Sequence, residues 1–214
     1  MNYIWSKLSL LKFIEEKINE IVWDKNYIFS DLFAGTWIVA RFFKEKWHQI
    51  IANDLQYYSY ALNRNYIWNH TDLYFAGIRD EVNDLFVSDV NTHKETVCKY
   101  LNDLPGKKWF IYKNYSLGWT KGQEYERMYF SDENATRCDG IRQKIESWKS
   151  QNKITDDEYY FLIASLLEAI DKVANTASVY GAFLKQLKKS ALKPLTLVPA
   201  DFHKTAKISQ VYNE

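Results

Sequence analysis

The first residues that could do chemistry form a tight turn and an acidic side chain about 20 positions further on. The turn lies in the stretch Ser30-Asp31-Leu32-Phe33-Ala34-Gly35-Thr36-Trp37, which links an apolar run to a helical pattern. A turn of this kind presents free backbone N–H groups at the start of a helix. Asp54 follows the next apolar run, where a carboxylate can accept hydrogen bonds from ribose hydroxyls. The pair predicts a nucleoside-containing cofactor, with a cap on the following helix as the alternative role for Asp54.

The elements around these residues alternate between strand and helix. Residues 7–22 carry apolar side chains at helical spacing, and residues 27–33 form an apolar, aromatic run typical of a buried strand. Helical periodicity returns over 38–46, a second short strand is predicted over 49–52, and another helix over 56–66. This order predicts a βαβ unit with a parallel sheet, whose ligands bind at the carboxyl ends of the strands.

After this unit the pattern becomes mostly helical. A polar helical region is predicted over 70–103, and an aromatic, lysine-rich region of loops and short strands over 105–130. Two long helices are predicted over 133–151 and 155–187, and two strands over 193–198 and 208–212. Thr155 stands three residues before Glu158, which predicts an N-terminal cap for the second long helix. A helical insert therefore interrupts an α/β domain.

Composition narrows the class of protein. The net charge of +1 creates no global field that would attract nucleic acid, so any basic surface must be local. Cys98 and Cys138 lack CxxC spacing and the four histidines are scattered, so the sequence predicts neither a disulfide framework nor a metal site. The N-terminus lacks the apolar core of a signal peptide, and no run is long enough to span a bilayer. These features predict a cytoplasmic protein with no membrane partner.

Three short motifs resemble those of the Dam-like adenine-specific DNA methyltransferases. Tyr3-Ile4-Trp5-Ser6-Lys7 resembles the opening motif of that family, aromatic-x-Gly-x-Lys. The turn from Asp31 to Trp37 resembles its S-adenosylmethionine motif, Asp-x-Phe-Ala-Gly-Thr-Gly, and Asn53-Asp54-Leu55 resembles its acidic motif. Segments 115–130 and 175–181 are similar to the target-recognition insert of one branch. The motifs stand in the order of the family, and the resemblance covers essentially the whole chain.

The resemblance implies an α/β fold, with an incomplete Rossmann-like methyltransferase sheet and a large, mostly helical target-recognition insert. Residues 1–68 would form the S-adenosylmethionine-binding half, 69–192 the insert, and 193–214 a truncated return to the sheet. The implied activity is methyl transfer from S-adenosylmethionine to the exocyclic amino group of adenine in double-stranded DNA. The implied cofactor residues lie at the methionine end, in the turn and at the ribose, and are Tyr3, Trp5 and Lys7, then Asp31, Phe33, Ala34 and Gly35, and finally Asp54.

The chain departs from the family pattern in two ways. Trp5 and Trp37 stand where the motifs have glycine, and we expect an indole there to hinder both a positive φ and the close approach of a ligand. The catalytic tetrapeptide Asp-Pro-Pro-Tyr, which would grip a flipped adenine, does not occur in the sequence. We therefore expect a methyltransferase fragment that is inactive unless a separate polypeptide carries the catalytic half. The alternative is a non-enzymatic DNA-binding or interaction remnant of this fold.

Tryptophan and glycine occur in unusual proportions. The chain has 8 tryptophans and 7 glycines, whereas the usual glycine frequency of about 7% predicts about 15. Trp148 fits inside an amphipathic helix, but the other tryptophans stand in glycine-like places, namely Trp5, Trp23, Trp37, Trp47, Trp68, Trp109 and Trp119. One hypothesis is that an opal codon, translated here as tryptophan, encodes glycine in the source. The alternatives are a decaying gene or tryptophans that pack normally in the core.

Lysines interleaved with aromatic residues mark the region predicted to contact DNA. Cationic side chains of this kind bind phosphates, while aromatic and amide groups read or wedge bases. Together with the resemblance, they predict DNA-binding residues in two clusters, which are Lys113, Tyr115 and Arg127, and then Lys185, Lys188 and Lys189. For the second cluster the alternative is a solvated helix end whose charges complement the helix dipole.

Overall fold

The structure is a computed structural model that describes residues 7–24, 26–86, 89–177 and 182–214. Its helices and strands are, in chain order, α1 (Leu11–Ile21), β1 (Ile28–Asp31), α2 (Ile38–Glu45), β2 (Gln49–Asn53), α3 (Tyr57–Asn63), α4 (His93–Asn102), α5 (Phe110–Tyr115), α6 (Leu117–Thr120), α7 (Asp132–Ser150), α8 (Asp156–Val173) and β3 (Gln210–Tyr212). Short 3₁₀ turns occupy Leu8–Leu10, Ala76–Ile78, Asn83–Phe86 and Val90–Thr92, and a π-helical turn follows α3 over Arg64–Trp68.

The chain divides into two compact units. One, here called the helical unit, consists of Leu73–Pro199. The other, here called the sheet unit, combines the residues up to Asp72 with Ala200–Glu214. The chain therefore leaves the sheet unit, builds the helical unit and returns. The assignment of cofactor and recognition roles to these parts stays a prediction.

The sheet unit contains a three-stranded parallel sheet in the order β1-β2-β3. Ile28 of β1 pairs with Gln49 of β2, and Ala52 of β2 pairs with Val211 of β3. The helix α2 connects β1 to β2 and packs against both strands. The predicted βαβ unit, its parallel pairing and the strand near residue 210 are confirmed, which gives a mixed helix and strand architecture compatible with an α/β methyltransferase.

Apolar residues at helical spacing hold α2 against this sheet. Val39, Ala40 and Phe43 are buried on one face of the helix, and the Phe43 ring stacks on Phe29 of β1 with 4.1 Å between ring centroids. Ile50 of β2 is fully buried beneath them. Removing these side chains from water drives the packing. As a result, the carboxyl ends of β1 and β2 lie side by side.

The helical unit is built around α7 and α8, which pack on each other. The predicted cap of α8 is confirmed, because Thr155 Oγ1 accepts from the Glu158 N–H at 3.2 Å and Glu158 Oε2 accepts from the Thr155 N–H at 2.9 Å. Trp148 is buried within α7, as predicted. In the described part of 70–103, the helical prediction is correct for α4 and otherwise yields only short 3₁₀ turns.

The helix predicted over 155–187 ends at Val173, so the prediction is wrong for residues 174–177 and 182–187, while residues 178–181 lie outside the described part of the chain. Ala174 has an extended backbone, and the N–H of Asn175 donates to the carbonyl of Tyr129 at 2.8 Å. A bond to a distant segment thus replaces the bond that would have continued the helix.

The strand predicted over 193–198 is also wrong. The N–H of Leu195 donates to Asn134 Oδ1, and the N–H of Leu197 donates to Asn102 Oδ1, both at 2.7 Å. Side-chain amides of α7 and α4 therefore take the hydrogen bonds that a neighbouring strand would have taken.

The region over 105–130 contains the predicted loops, but α5, α6 and one parallel bridge between Ser116 and Phe130 take the place of the predicted short strands. The fully buried carboxylate of Asp139 explains why α5 begins where it does. It accepts hydrogen bonds from three backbone N–H groups, at distances of 2.8 to 3.0 Å, those of Trp109, Ile111 and Tyr112. These N–H groups at a helix start have no partner inside the helix.

Candidate functional site

The turn after β1 folds against the end of β2. The N–H of Ala34 donates to the carbonyl of Asn53 at 3.0 Å, and the N–H of Trp37 donates to the carbonyl of Ala34 at 3.1 Å. Gly35 has a φ of 52°, a left-handed conformation that glycine adopts without a steric penalty. The turn therefore leads from the carboxyl end of one strand to the N-terminus of α2.

Asp54 orders this turn from the neighbouring strand. Its Oδ2 accepts from the N–H of Gly35 at 2.7 Å, and its Oδ1 accepts from the N–H of Gln56 at 2.9 Å. The second bond lies just before α3, so it resembles the predicted capping role, while the first ties the acid to the candidate site. A carboxylate has about four acceptor positions, and Asp54 is half-buried. Acceptor capacity therefore remains for a ligand hydroxyl.

A cavity of about 160 Å³ opens beside the turn. Four of the predicted cofactor residues line it, namely Lys7, Phe33, Ala34 and Gly35. Three lining residues were not predicted, and these are Thr36, Ile38 and Val39. Thr36 belongs to the turn itself, while Ile38 and Val39 begin α2, so the turn motif and the helical pattern that starts at Ile38 were the available signals. Of the other predicted residues, Asp31 and Asp54 are not among the lining residues, and Tyr3 and Trp5 lie outside the described part of the chain.

Asp31, the last residue of β1, carries a charge that the surroundings disfavour. Burial raises the pKa of its carboxyl above the ordinary value, and the charge of Asp54 raises the pKa further. The Lys7 ammonium and a hydrogen bond from the Phe33 backbone oppose that shift. Two carboxylates and one lysine thus share the carboxyl end of the sheet, and this arrangement can attract a ligand that carries both a cation and an anion.

Trp37 adopts the left-handed backbone that a glycine motif would provide. Its φ is 60°, yet its side chain is only 4% exposed. The indole stacks on Tyr66 with 4.7 Å between ring centroids, and the Arg41 guanidinium lies 5.1 Å from the centroid of the same tyrosine ring. Trp37 is not a lining residue of the cavity. The expectation that an indole could not take a positive φ here is therefore wrong, because packing on Tyr66 offsets the strain.

The residue that follows β3 supplies a further contact that was not predicted from the sequence. Asn213 Nδ2 donates to the carbonyls of Asp54 and Leu55, at 2.6 and 2.9 Å. The signal was available in principle, because the carboxyl ends of parallel strands meet at one edge of the sheet. Asn213 thereby positions the segment that carries the acid.

The six predicted DNA-binding residues all lie in the helical unit. The Lys113 ammonium is 5.3 Å from the Trp119 ring centroid, and Arg127 Nη1 donates to the Asn114 carbonyl at 3.3 Å. Tyr115, at the end of α5, contacts Tyr129 edge to face, with 5.9 Å between ring centroids.

Asn175 links the second cluster to the first. Its Nδ2 donates to the carbonyls of Met128 and Gln186, and its Oδ1 accepts from the N–H of Lys188 at 2.9 Å. The segment that follows Arg127 is therefore tied to the one that carries Lys188. Lys185 and Lys189 are exposed. The structure brings the two clusters to neighbouring segments, but it does not place the second cluster on a helix end, because α8 ends at Val173.

In the described part of the chain, no helix combines the length and the apolar character needed to cross a bilayer.

Comparison with known proteins gives consistent matches over the whole chain. It is 48% identical over 214 residues to the Type II methyltransferase M.NlaIII of Neisseria lactamica, which covers 99% of this chain and 58% of that protein. It is 36% identical over 221 residues to the Type II methyltransferase M.FokI of Planomicrobium okeanokoites, covering 100% of this chain and 31% of the relative. M.CviAII of Paramecium bursaria Chlorella virus 1 is 36% identical over 214 residues, with 100% and 58% covered.

The chain thus spans between about a third and three fifths of the length of these relatives. No solved structure gives a significant match. The family model of the D12 class N6 adenine-specific DNA methyltransferases matches residues 3–214. The parallel sheet, the turn tied to an acid on the next strand and this match over nearly the full length agree, and the chain belongs to the D12 class N6 adenine-specific DNA methyltransferase family.

Proposed function

We propose that these 214 residues hold S-adenosylmethionine and double-stranded DNA for an adenine-specific methyltransferase. The observation that carries the proposal is the hydrogen bond between the Gly35 N–H and Asp54 Oδ2, at 2.7 Å. This bond places the Asp54 carboxylate, which can accept hydrogen bonds from ribose hydroxyls, beside the turn that borders the cavity. Family membership selects the cofactor among nucleoside-containing ligands.

The residues of the site suit S-adenosylmethionine if its amino-acid end lies in the cavity and its ribose lies outside the cavity. A volume of about 160 Å³ is below the roughly 300–1,000 Å³ of sites that enclose a whole ligand. We assign the amino-acid end to the cavity, near Lys7 and Gly35, because that end carries a carboxylate. The ribose then belongs at the carboxyl edge of β2, where Asp54 is half-buried.

Each residue has a binding task in this assignment. When bound, S-adenosylmethionine supplies an electrophilic methyl group on a sulfonium. Lys7 attracts the carboxylate of the cofactor, and Asp31 offsets the positive charge of the cofactor. The N–H groups at the start of α2 face an anion favourably. Asp54 accepts hydrogen bonds from the ribose while it keeps the turn in place. Tyr3 and Trp5 complete the predicted set by resemblance.

The helical unit is assigned to DNA. Lys185, Lys188 and Lys189 contact phosphates, while Lys113, Tyr115 and Arg127 lie nearer the bases. The bonds of Asn175 support this assignment, because they tie a segment next to Arg127 to the one that carries Lys188. Contacts to phosphates fix position, and contacts to base edges provide specificity.

The chemical step is assigned to another part of the enzyme. The tetrapeptide Asp-Pro-Pro-Tyr is absent from these residues, so we expect no methylation by them alone. The second candidate function is DNA binding without cofactor binding. It is favoured by the small volume of the cavity, about 160 Å³, which cannot enclose a whole cofactor.

Isothermal titration of S-adenosylmethionine into the chain tests the proposal. We expect binding, and a loss of about tenfold or more in affinity for Asp54→Ala, because charge-assisted hydrogen bonds contribute about 1.5–3 kcal/mol. Asp103→Ala, at an exposed residue of the helical unit, is the matched control and should bind as the parent does. Absence of binding by a folded parent chain, with DNA binding retained, would establish the second candidate instead.

A further inference from the structure

Two asparagine side chains join the carboxyl ends of the three strands. Asn53, the last residue of β2, donates from Nδ2 to the carbonyl of Glu214 at 3.0 Å and to that of Leu32 at 3.4 Å. Its Oδ1 accepts from the Glu214 N–H at 3.1 Å. One side chain therefore contacts the segment after β1 and the segment after β3 at the same time.

Asn213 makes the corresponding bonds from β3 toward β2. It follows β3, and its Nδ2 donates to the carbonyls of Asp54 and Leu55, at 2.6 and 2.9 Å. The Asp54 N–H also donates to the Tyr212 carbonyl at 3.3 Å, just beyond the strand pair of Asn53 with Tyr212. Asn53 and Asn213, here called the amide clamp, thus hold the segments after β2 and β3 to each other.

The amide clamp acts on the segment that carries the acid. The strand β2 ends at Asn53, and the chain bends at Leu55. Because Asn213 Nδ2 binds two consecutive carbonyls, both of its hydrogens are used and the bend is held in place. The bend sets the direction in which the Asp54 side chain leaves the backbone. The clamp therefore supports the 2.7 Å bond between Asp54 Oδ2 and the Gly35 N–H.

Solvent exposure sets the size of the effect that the amide clamp can have. Asn213 is exposed and Asn53 is half-buried, so water competes for their hydrogen bonds and each bond contributes only a modest net free energy. Loss of such a bond changes a binding constant by about three- to tenfold. The clamp therefore matters most for a group whose orientation a ligand must find already set.

We propose that Asn53 and Asn213 are positioning residues, which keep Asp54 on the Gly35 N–H and so in the orientation that binds the ribose. The proposal rests on the proposed function for the identity of the ligand. By the reciprocity of linked equilibria, a cofactor that binds the held form of Asp54 also tightens the amide clamp. Bound cofactor therefore orders the segment after β3, at Glu214.

Substitutions of Asn213 in the full chain test the proposal. We expect S-adenosylhomocysteine, measured by isothermal titration, to bind Asn213→Ala about three- to tenfold more weakly than the parent. Asn213→Leu keeps most of the side-chain volume without the donor and should lose as much affinity. Asn26→Ala is the matched control, because it removes an exposed asparagine of the sheet unit whose Oδ1 accepts from Lys207 Nζ at 2.7 Å. It should bind as the parent does.

The Asp54→Ala background separates positioning from a general loss of structure. There Asn213→Ala should cost no further affinity, because the group that it positions is gone. Amide hydrogen exchange, followed by NMR, reports on the clamp without a ligand. The N–H groups of Gly35 and Gln56, which both bond Asp54, should exchange about three- to tenfold faster in Asn213→Ala. In the parent, S-adenosylhomocysteine should slow the exchange of the Glu214 N–H.

Two results would overturn the proposal. One is equal exchange at Gly35 and Gln56 in the parent and in Asn213→Ala, and the other is a loss of affinity that is the same with and without the Asp54 carboxylate. A folded parent that binds no cofactor contradicts the proposed function instead. The exchange at Gly35 then still decides whether the amide clamp holds Asp54.

Discussion

At the scale of single residues, two tryptophans carry backbones that usually belong to glycine. Among the described residues, the non-glycine positions with positive φ are Trp37, Trp47, Phe75 and Asn152. Trp37 and Trp47 are both tryptophans predicted to stand in glycine-like places. Trp23, also in that set, is 92% exposed. These observations agree with the hypothesis that the source reads the codons of these tryptophans as glycine. The buried ring of Trp37 agrees instead with the alternative that the tryptophans pack normally in the core.

Trp47 allows the backbone effect to be measured alone. It follows α2 in a Schellman arrangement, in which its N–H donates to the Lys44 carbonyl at 2.9 Å and the His48 N–H donates to the Phe43 carbonyl at 3.1 Å. Its φ is 68° and its side chain is 58% exposed. We predict that Trp47→Gly has a free energy of unfolding about 1 kcal/mol above that of Trp47→Ala, because only alanine keeps the left-handed strain. Urea denaturation measures both variants, and equal stabilities would show that no strain exists.

The coding DNA tests the codon hypothesis itself. We expect TGA at Trp5, Trp37 and Trp47. A TGG codon at these three positions would exclude the hypothesis and leave gene decay or ordinary packing.

Lys44 predicts a dependence of stability on pH. Its side chain is fully buried, with Nζ donating to the carbonyls of Tyr66 at 3.0 Å and Asn69 at 2.5 Å. Burial and, to a smaller extent, the charge of Arg41 lower the pKa of Lys44 to about 7, against the opposing effect of Glu45. An unfolded lysine keeps its proton up to a pH of about 10.4. Between these values the unfolded state binds more protons, so stability rises with pH, whereas below about pH 7 both states hold the proton.

Lys44→Met removes this contribution and the ammonium that donates to the carbonyls of Tyr66 and Asn69. We predict that the variant loses about 1–3 kcal/mol of unfolding free energy below pH 7, and that its deficit grows as the pH rises toward about 10. Urea denaturation at several pH values checks this. A deficit that stays constant or shrinks would contradict the low pKa of Lys44.

At the scale of elements, the sequence predicted best where local pattern and tertiary packing agree. The alternation of apolar runs with helical periodicity over 27–52 became β1, α2 and β2, because the same apolar residues that set the pattern also build the core. The sequence predicted Asp54 at the end of the second strand. Parallel pairing brings that position beside the turn, where Asp54 accepts a hydrogen bond from the Gly35 N–H.

Prediction failed where distant polar side chains replace a local partner. Asn134 and Asn102 take the hydrogen bonds of segment 193–198, and Asn175 leaves the helical course to bond Tyr129. Such bonds join residues that are far apart in the sequence, so no periodicity reports them. Asn213 escaped notice for the same reason, since its partner Asp54 is 159 positions away.

The start of α5 depends on Asp139. Asp139→Ala removes the acceptor of three backbone N–H groups, at Trp109, Ile111 and Tyr112. We predict a loss of about 3 kcal/mol in unfolding free energy, because buried donors lose a charged acceptor. Under the proposed function, DNA binding should also weaken, since α5 carries Lys113 and Tyr115. Asp132→Ala, which removes a carboxylate that accepts only from the exposed Gly118 N–H among the described bonds, is the comparison and should lose less stability.

At the scale of the whole molecule, a net charge of +1 makes any affinity for DNA a local property. Each phosphate contact lowers the slope of log affinity against log salt by about 0.9. We predict that the combined change of Lys185, Lys188 and Lys189 to alanine weakens DNA binding and makes the slope less steep by about 2–3. Fluorescence anisotropy at several salt concentrations measures the slope.

Lys99→Ala, at an exposed lysine of α4, is the control for a general loss of charge. It should change the slope little. If the triple variant and Lys99→Ala gave the same slope as the parent, the second cluster would be a solvated surface with no part in DNA binding.

The proposed function depends on where the cofactor binds, and a crystal structure of the chain with S-adenosylhomocysteine determines that position. We predict the ribose hydroxyls within about 3 Å of the Asp54 carboxylate, with the amino-acid end in the cavity beside Lys7 and Gly35. A ligand bound at another place, or an Asp54 carboxylate that faces no ligand oxygen in a fully occupied complex, would contradict the account.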